Sequence, residues 1–166
     1  MKSNTKHTLF LAFLIASLTV LMFIKTMKLE FVKNQKARGC DVKGCGEFGA
    51  ARGDKKHQGF DILVNPSDEI LAPFPLEIKR FGVPYADSMN LTLVEFQGLG
   101  IFSVFTVKVM YMDSPLAVGT KLKKGDHLGT AQNVAEYHGG GMKNHIHVEF
   151  RCLGKLVNPE PFLKLS

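Results

Sequence analysis

Two short histidine motifs hold the side chains best suited to chemistry in this chain: His57-Gln58-Gly59-Phe60-Asp61 and His145-Ile146-His147. Between them they offer a hard carboxylate oxygen and up to three imidazole nitrogens, a ligand mixture that suits zinc. If residues 145–150 form a strand, its period of two puts His145, His147 and Glu149 on one face and Ile146, Val148 and Phe150 on the other. The apolar face anchors the strand in a core, and the two imidazoles project ~7 Å apart, the rise of two strand residues. One of them can bind a metal with the other as its neighbour. The same parity places His57, Gly59 and Asp61 on one side of an extended segment, where Gly59 has no side chain to obstruct an ion. A zinc site of His57, Asp61 and His147, with one position left for water, follows from this arrangement. Either motif alone is weak; their joint occurrence beside strand-like apolar runs gives them weight. His127 and His138 fall in turn-rich or glycine-rich stretches and read as solvent-exposed loop residues.

The elements that must carry these motifs are short. Runs rich in β-branched and aromatic residues cover 60–64, 76–81, 91–96, 101–112 and 145–151, separated by Gly, Pro, Asn and Asp. In the longest run Phe105, Val107, Val109 and Tyr111 fall on one face by alternation. Helical periodicity is absent beyond the N-terminal apolar stretch, so the expected fold is all-β: an antiparallel sheet with the motifs on rigid strands along a groove.

The chain has 166 residues, room for one domain and an extension. Its net charge of +6 suggests a nucleic-acid binder until the charges are placed. Residues 1–39 hold seven basic residues against Glu30, so the remaining domain is neutral and implies no nucleic-acid partner. Residues 8–24 are uncharged and mostly apolar, which predicts an N-terminal leader helix within residues 1–24. Cleavage with secretion is one outcome, and a membrane anchor through residues 8–24 is the alternative. Residues 25–39 read as a basic linker, and 40–166 as the domain. Cys40 and Cys45, four residues between them, can close a local disulfide in an oxidising compartment; two reduced thiols are the alternative. Cys152 is the odd one out, either buried or available for an intermolecular bridge.

Arg52, His57 to Ile62, Ala72-Pro73-Phe74, the stretch Val118 to Thr130 and His145-Ile146-His147 follow one another in an order that resembles the lysostaphin-type zinc endopeptidases, over about residues 45–151. Within that family, Cys40 to Gly46 followed by Arg52 and His57-Gln58-Gly59 looks most like the vertebrate chemotaxin branch, whose secreted members are understood to act as extracellular signals. The resemblance implies a groove of antiparallel strands with zinc held by His57, Asp61 and His147. It also implies a second catalytic histidine before the hairpin, working with His145, yet Val109 to Ser114 contains none. His145 is then a vestigial or weak catalytic group. Tyr111 is either a substitute hydrogen-bond donor for the missing histidine or a core aromatic whose hydroxyl reaches the groove. Val64 and Thr106 stand where the chemotaxins carry further cysteines, which leaves Cys152 without its family partner.

Two functions are expected on this basis. The first is a non-catalytic, zinc-stabilised extracellular module for signalling or ligand binding, whose partner is a cell-surface receptor or a cell-wall peptide or glycan. The second is an active endopeptidase that cuts peptidoglycan cross-bridges.

Overall fold

The computed structural model describes residues 28–86 and 90–166, with positions 7, 8, 10, 11 and 26 ahead of them. The leader helix expected within 1–24 lies almost wholly outside the described residues. Among those described, no helix is long and apolar enough to cross a membrane.

Among the described residues fifteen strands form, in chain order β1 (Lys36–Ala37), β2 (Cys40–Asp41), β3 (Gly44–Cys45), β4 (Ala51–Arg52), β5 (Lys55–Lys56), β6 (Phe60–Leu63), β7 (Glu69–Leu71) and β8 (Leu76–Gly82). They continue as β9 (Leu93–Gly98), β10 (Phe105–Met110), β11 (Met112–Asp113), β12 (Lys121–Leu122), β13 (His127–Ala131), β14 (His145–Cys152) and β15 (Lys155–Val157). The main sheet is antiparallel, in the order β1-β6-β14-β10-β9-β8-β12, with β15 also paired to β14. A second sheet of β11, β13 and β7 and the hairpins β2–β3 and β4–β5 complete the all-β architecture.

One face of the main sheet makes the core. Ile62, Ile78, Phe96, Phe105, Val107, Val109, Ile146, Val148 and Phe150 are fully buried there. Phe105 meets Phe150 at 5.7 Å and Phe162 at 5.3 Å, offset and edge-on geometries that aromatic rings favour. Truncating one of these rings to alanine costs about 3–5 kcal/mol. The period of two in the sequence therefore reports the packing: what alternates away from this core on β14 is His145, His147 and Glu149.

Two expectations need correction. Residues 28–38 are no linker, because Leu29 and Phe31 are fully buried, the β1 edge pairs with β6, and the Leu29 amide donates to the Phe162 carbonyl at 2.9 Å. The buried Gln35 side chain accepts from the Phe31 amide and donates to the Leu29 carbonyl, so this arm satisfies its own backbone. The run 101–112 is not one strand. A 3₁₀ turn at Gly100–Phe102 precedes β10, and Tyr111 sits at a φ of 67°, after which the chain enters the second sheet as β11. The all-β expectation holds: among the described residues beyond 28, α-helix is confined to one turn at Val134–Tyr137, whose Glu136 amide is capped by the Asn133 side chain.

Candidate metal centre

β6 and β14 are antiparallel neighbours in a register that sets Asp61 directly opposite His147. His57 arrives from the segment ahead of β6, where its amide donates to the Ala50 carbonyl and its own carbonyl accepts from Gly49. His57 Nε2, His147 Nδ1 and Asp61 Oδ1 then converge, at 2.9 Å between the imidazoles, 3.2 Å from His57 to Asp61 and 2.9 Å from His147 to Asp61. All three residues are buried. Two ligands of a tetrahedral zinc lie roughly 3.3 Å apart for bonds of ~2.0–2.1 Å, so these separations suit such an ion.

The surrounding hydrogen bonds fix which atoms face inward. His57 Nδ1 donates to the Glu47 carbonyl at 2.8 Å, and His147 Nε2 faces the Glu149 carboxylate at 3.4 Å. Burial opposes charge on His147, but Asp61 and Glu149 outweigh it and raise its pKa, and a protonated His147 donates to Asp61 across the 2.9 Å contact. With both N–H groups directed outward instead, each imidazole turns a lone pair toward Asp61. Three acceptor atoms in mutual contact need a proton or a metal cation between them. A carbonyl or a carboxylate behind the ring is the outer partner that zinc-binding histidines use.

Asp61 carries the other half of the electrostatics. Burial opposes its charge, but hydrogen bonds with His147 and His57 and the nearby imidazole charges hold its pKa far below the ordinary carboxylate range. Its Oδ2 accepts from Arg38 Nη1 at 2.8 Å, leaving Oδ1 for the cluster. Arg38 is itself buried and donates to both Asp41 oxygens, at 3.0 and 2.6 Å. Burial disfavours its charge, and the two carboxylates outweigh that and raise its pKa. The Cys40–Cys45 disulfide is formed between residues facing each other across the β2–β3 hairpin, which holds Asp41 in place. Cys152 is a half-buried free thiol.

Gly59 is required for a reason different from the one its position suggested. A Cβ there would lie 2.6 Å from the His147 ring and 2.5 Å from the Val148 carbonyl oxygen, so the space is filled by the imidazole itself.

His145 stands beside this group and outside it, its Nε2 3.6 Å from Asp61 Oδ2. Its Nδ1 donates to the Lys143 carbonyl at 2.8 Å, and burial lowers its pKa to about 4, so at neutral pH it offers a bare Nε2 to the cleft. Tyr111 packs edge-on to the His145 ring at 5.4 Å. Its left-handed backbone removes it from the β10 core face, and its hydroxyl meets that of Tyr85. Burial, with Tyr85 adding to it, pushes the Tyr111 pKa above the ordinary phenol value, so it remains a neutral hydrogen-bonding group.

These side chains line a cleft of about 660 Å³. Arg38, Tyr85 and Glu149 were not singled out by the motifs. Glu149 was legible as the next residue on the His145/His147 face; Arg38 and Tyr85 come from distant segments with no local signal. His138 is half-buried and lines the cleft instead of standing free in a loop, and His127 opens β13 with its side chain 3.2 Å from Glu69.

No family model matches the chain. Leukocyte cell-derived chemotaxin-2 of Bos taurus is 32% identical over 117 residues, covering 70% of this chain and 74% of that protein. The Mus musculus protein of the same name is 31% identical over the same shares. In fold, the chain is similar to LytU, with a TM-score of 0.54 at 18% identity over 76% of this chain and 83% of that one. It is also similar to a zinc-containing peptidase from Vibrio cholerae, with a TM-score of 0.55 at 14% identity over 84% of this chain and 39% of that one.

Proposed function

The chain belongs to the leukocyte cell-derived chemotaxin-2 family, and from that premise we propose that it is an exported, zinc-binding module for signalling or ligand recognition on a peptidase-like fold, without significant catalysis. One observation carries this reading: His57, Asp61 and His147 converge with acceptor atoms turned inward, whereas the segment after β10 presents Tyr111 and no histidine beside His145. His57, Asp61 and His147 would hold the metal, with Glu47, Glu149 and Arg38 fixing their orientation. Bound zinc supplies a Lewis acid and lowers the pKa of a coordinated water.

What the segment after β10 then lacks is the second histidine of a full set for peptide hydrolysis. His145 is neutral and can accept a proton at Nε2. Stabilising charge on a tetrahedral intermediate needs a second polar donor, and loss of one such group elsewhere lowers turnover about 10² to 10³-fold. Tyr111 is a neutral phenol already engaged with Tyr85, which makes it a poor replacement. Export accords with the Cys40–Cys45 disulfide, a bond that persists in oxidising compartments. The partner in this reading is a cell-surface receptor or a cell-wall peptide or glycan.

The retained His145 favours a second reading, an endopeptidase acting on peptidoglycan cross-bridges. Incubating zinc-loaded protein with purified cell wall and measuring released amines separates the two. The signalling reading expects no release above the zinc-free control, and robust release would replace it with the enzyme.

A further inference from the structure

The residues beyond 39 are neutral in sum, yet the rim of the cleft that they form is not. Four of its lining residues, Lys43, Arg52, Lys55 and Lys56, come from the β2–β3 and β4–β5 hairpins. Lys43, Lys55 and Lys56 are exposed and meet no carboxylate at ion-pair distance among the described residues. The two carboxylates that line the cleft, Asp61 and Glu149, are buried and already held, by Arg38 and Lys108 respectively. Asp54, at the tip of the β4–β5 hairpin, does not line it. An incoming ligand therefore meets uncompensated positive charge over a floor of imidazoles, where field lines concentrate.

Chemistry of the opposite kind comes from elsewhere in the fold. Pro84, Tyr85, Met110, Tyr111 and Met142 also line the cleft, contributed by the ends of β8 and β10 and by the loop ahead of β14. β6, which the basic hairpins precede, and β10 flank β14 on its two sides. The cleft thus combines cationic groups from the two hairpins with apolar, aromatic groups from the ends of β8 and β10 and from the loop ahead of β14. A sulfated glycan has little apolar surface to use the second set; a peptide has both kinds of side chain.

We propose that the ligand of this cleft is an acidic peptide segment, with carboxylates toward Lys43, Lys55 and Lys56 and apolar side chains against Tyr85, Tyr111 and the two methionines. This rests on the reading of the cleft as a recognition site and names the ligand class for it. Attraction between exposed charges raises the association rate and is screened by salt.

The test uses the full chain loaded with zinc and a short fluorescein-labelled peptide of alternating glutamate and leucine, followed by anisotropy. A lysine–leucine counterpart and a heparin oligosaccharide serve as rivals. The expected result is binding of the acidic peptide alone, weakened about tenfold by Lys55→Glu with Lys56→Glu, and weakened again as salt approaches ~1 M, where the screening length is ~3 Å. Unchanged metal content in the double variant shows that the fold and centre are intact. Equal affinity for both peptides, preference for heparin, or indifference to the charge reversal each overturns the proposal. Any of these with zinc bound and no catalysis leaves the proposed function standing. Absence of zinc from the unmodified protein, with lysine-dependent peptide binding retained, instead removes the zinc reading and leaves this one.

Discussion

At the level of single residues, the two histidines of the His145-Ile146-His147 motif have separate tasks set by the strand's pairing. His147 faces Asp61 across the ladder and enters the cluster; His145 is anchored to the Lys143 carbonyl and faces the cleft. His147→Ala is therefore expected to abolish zinc in elemental analysis while His145→Ala retains it, and equal loss in both would show the roles to be misassigned. Gly59 gives a second residue-scale prediction. Gly59→Ala drives a Cβ into both the His147 ring and the Val148 backbone, and only the ring can move. Overpacking of this kind costs about 1–3 kcal/mol, so thermal or urea denaturation should register that loss together with weakened zinc uptake. Alternation made the His145/His147/Glu149 face legible in the sequence, since the residues between them build the core. The position of Tyr111 was not legible: a single residue at positive φ ends the alternation, and a tyrosine gives no local sign that it will adopt it.

Strands and hairpins explain how charges far apart in sequence meet at Asp61. The β2–β3 hairpin, closed by Cys40–Cys45, places Asp41 against Arg38, and Arg38 holds Asp61. Burial works against the charge on Asp41, but its hydrogen bonds with Arg38 and the amides of Lys143 and Lys43 lower its pKa to about 2. A carboxylate with a depressed folded-state pKa adds stability above its unfolded value, ~3.9, and loses it as pH falls toward the folded value. Asp41→Asn should thus be less stable than the unmodified protein by about 1–2 kcal/mol at neutral pH, allowing for solvent screening of a group near the surface. The difference should shrink between about pH 4 and pH 2; a gap independent of pH in denaturant titrations would mean that Asp41 acts through packing alone. The long strands were readable from composition. The arm at 28–38 was not, because its integration depends on two buried apolar residues, one buried glutamine and an edge pairing, none of which leaves a period among its lysines. Phe31→Ala, a ring lost from this arm, should cost about 3–5 kcal/mol in the same assay, whereas a true linker would show no change.

Across the whole molecule, a peptidase-like sheet carries a candidate metal centre and a cleft, and in the proposed function it lacks one catalytic group. If that group is all that is missing, restoring it should raise activity. Met110 and Tyr111 line the cleft, whereas Met112 is fully buried in the core, so histidine belongs at the first two positions and not the third. Tyr111→His keeps a residue type that tolerates the left-handed region comparatively well. Zinc should also stabilise the fold by binding it and not the unfolded chain, so chelation should lower the melting temperature of the unmodified protein and leave that of His147→Ala unchanged. The most direct single measurement is amine release from a glycine-rich peptide as the unmodified protein is titrated with zinc. Stoichiometric zinc uptake without release is the predicted result; release that rises with zinc occupancy and disappears in His145→Ala would contradict the account.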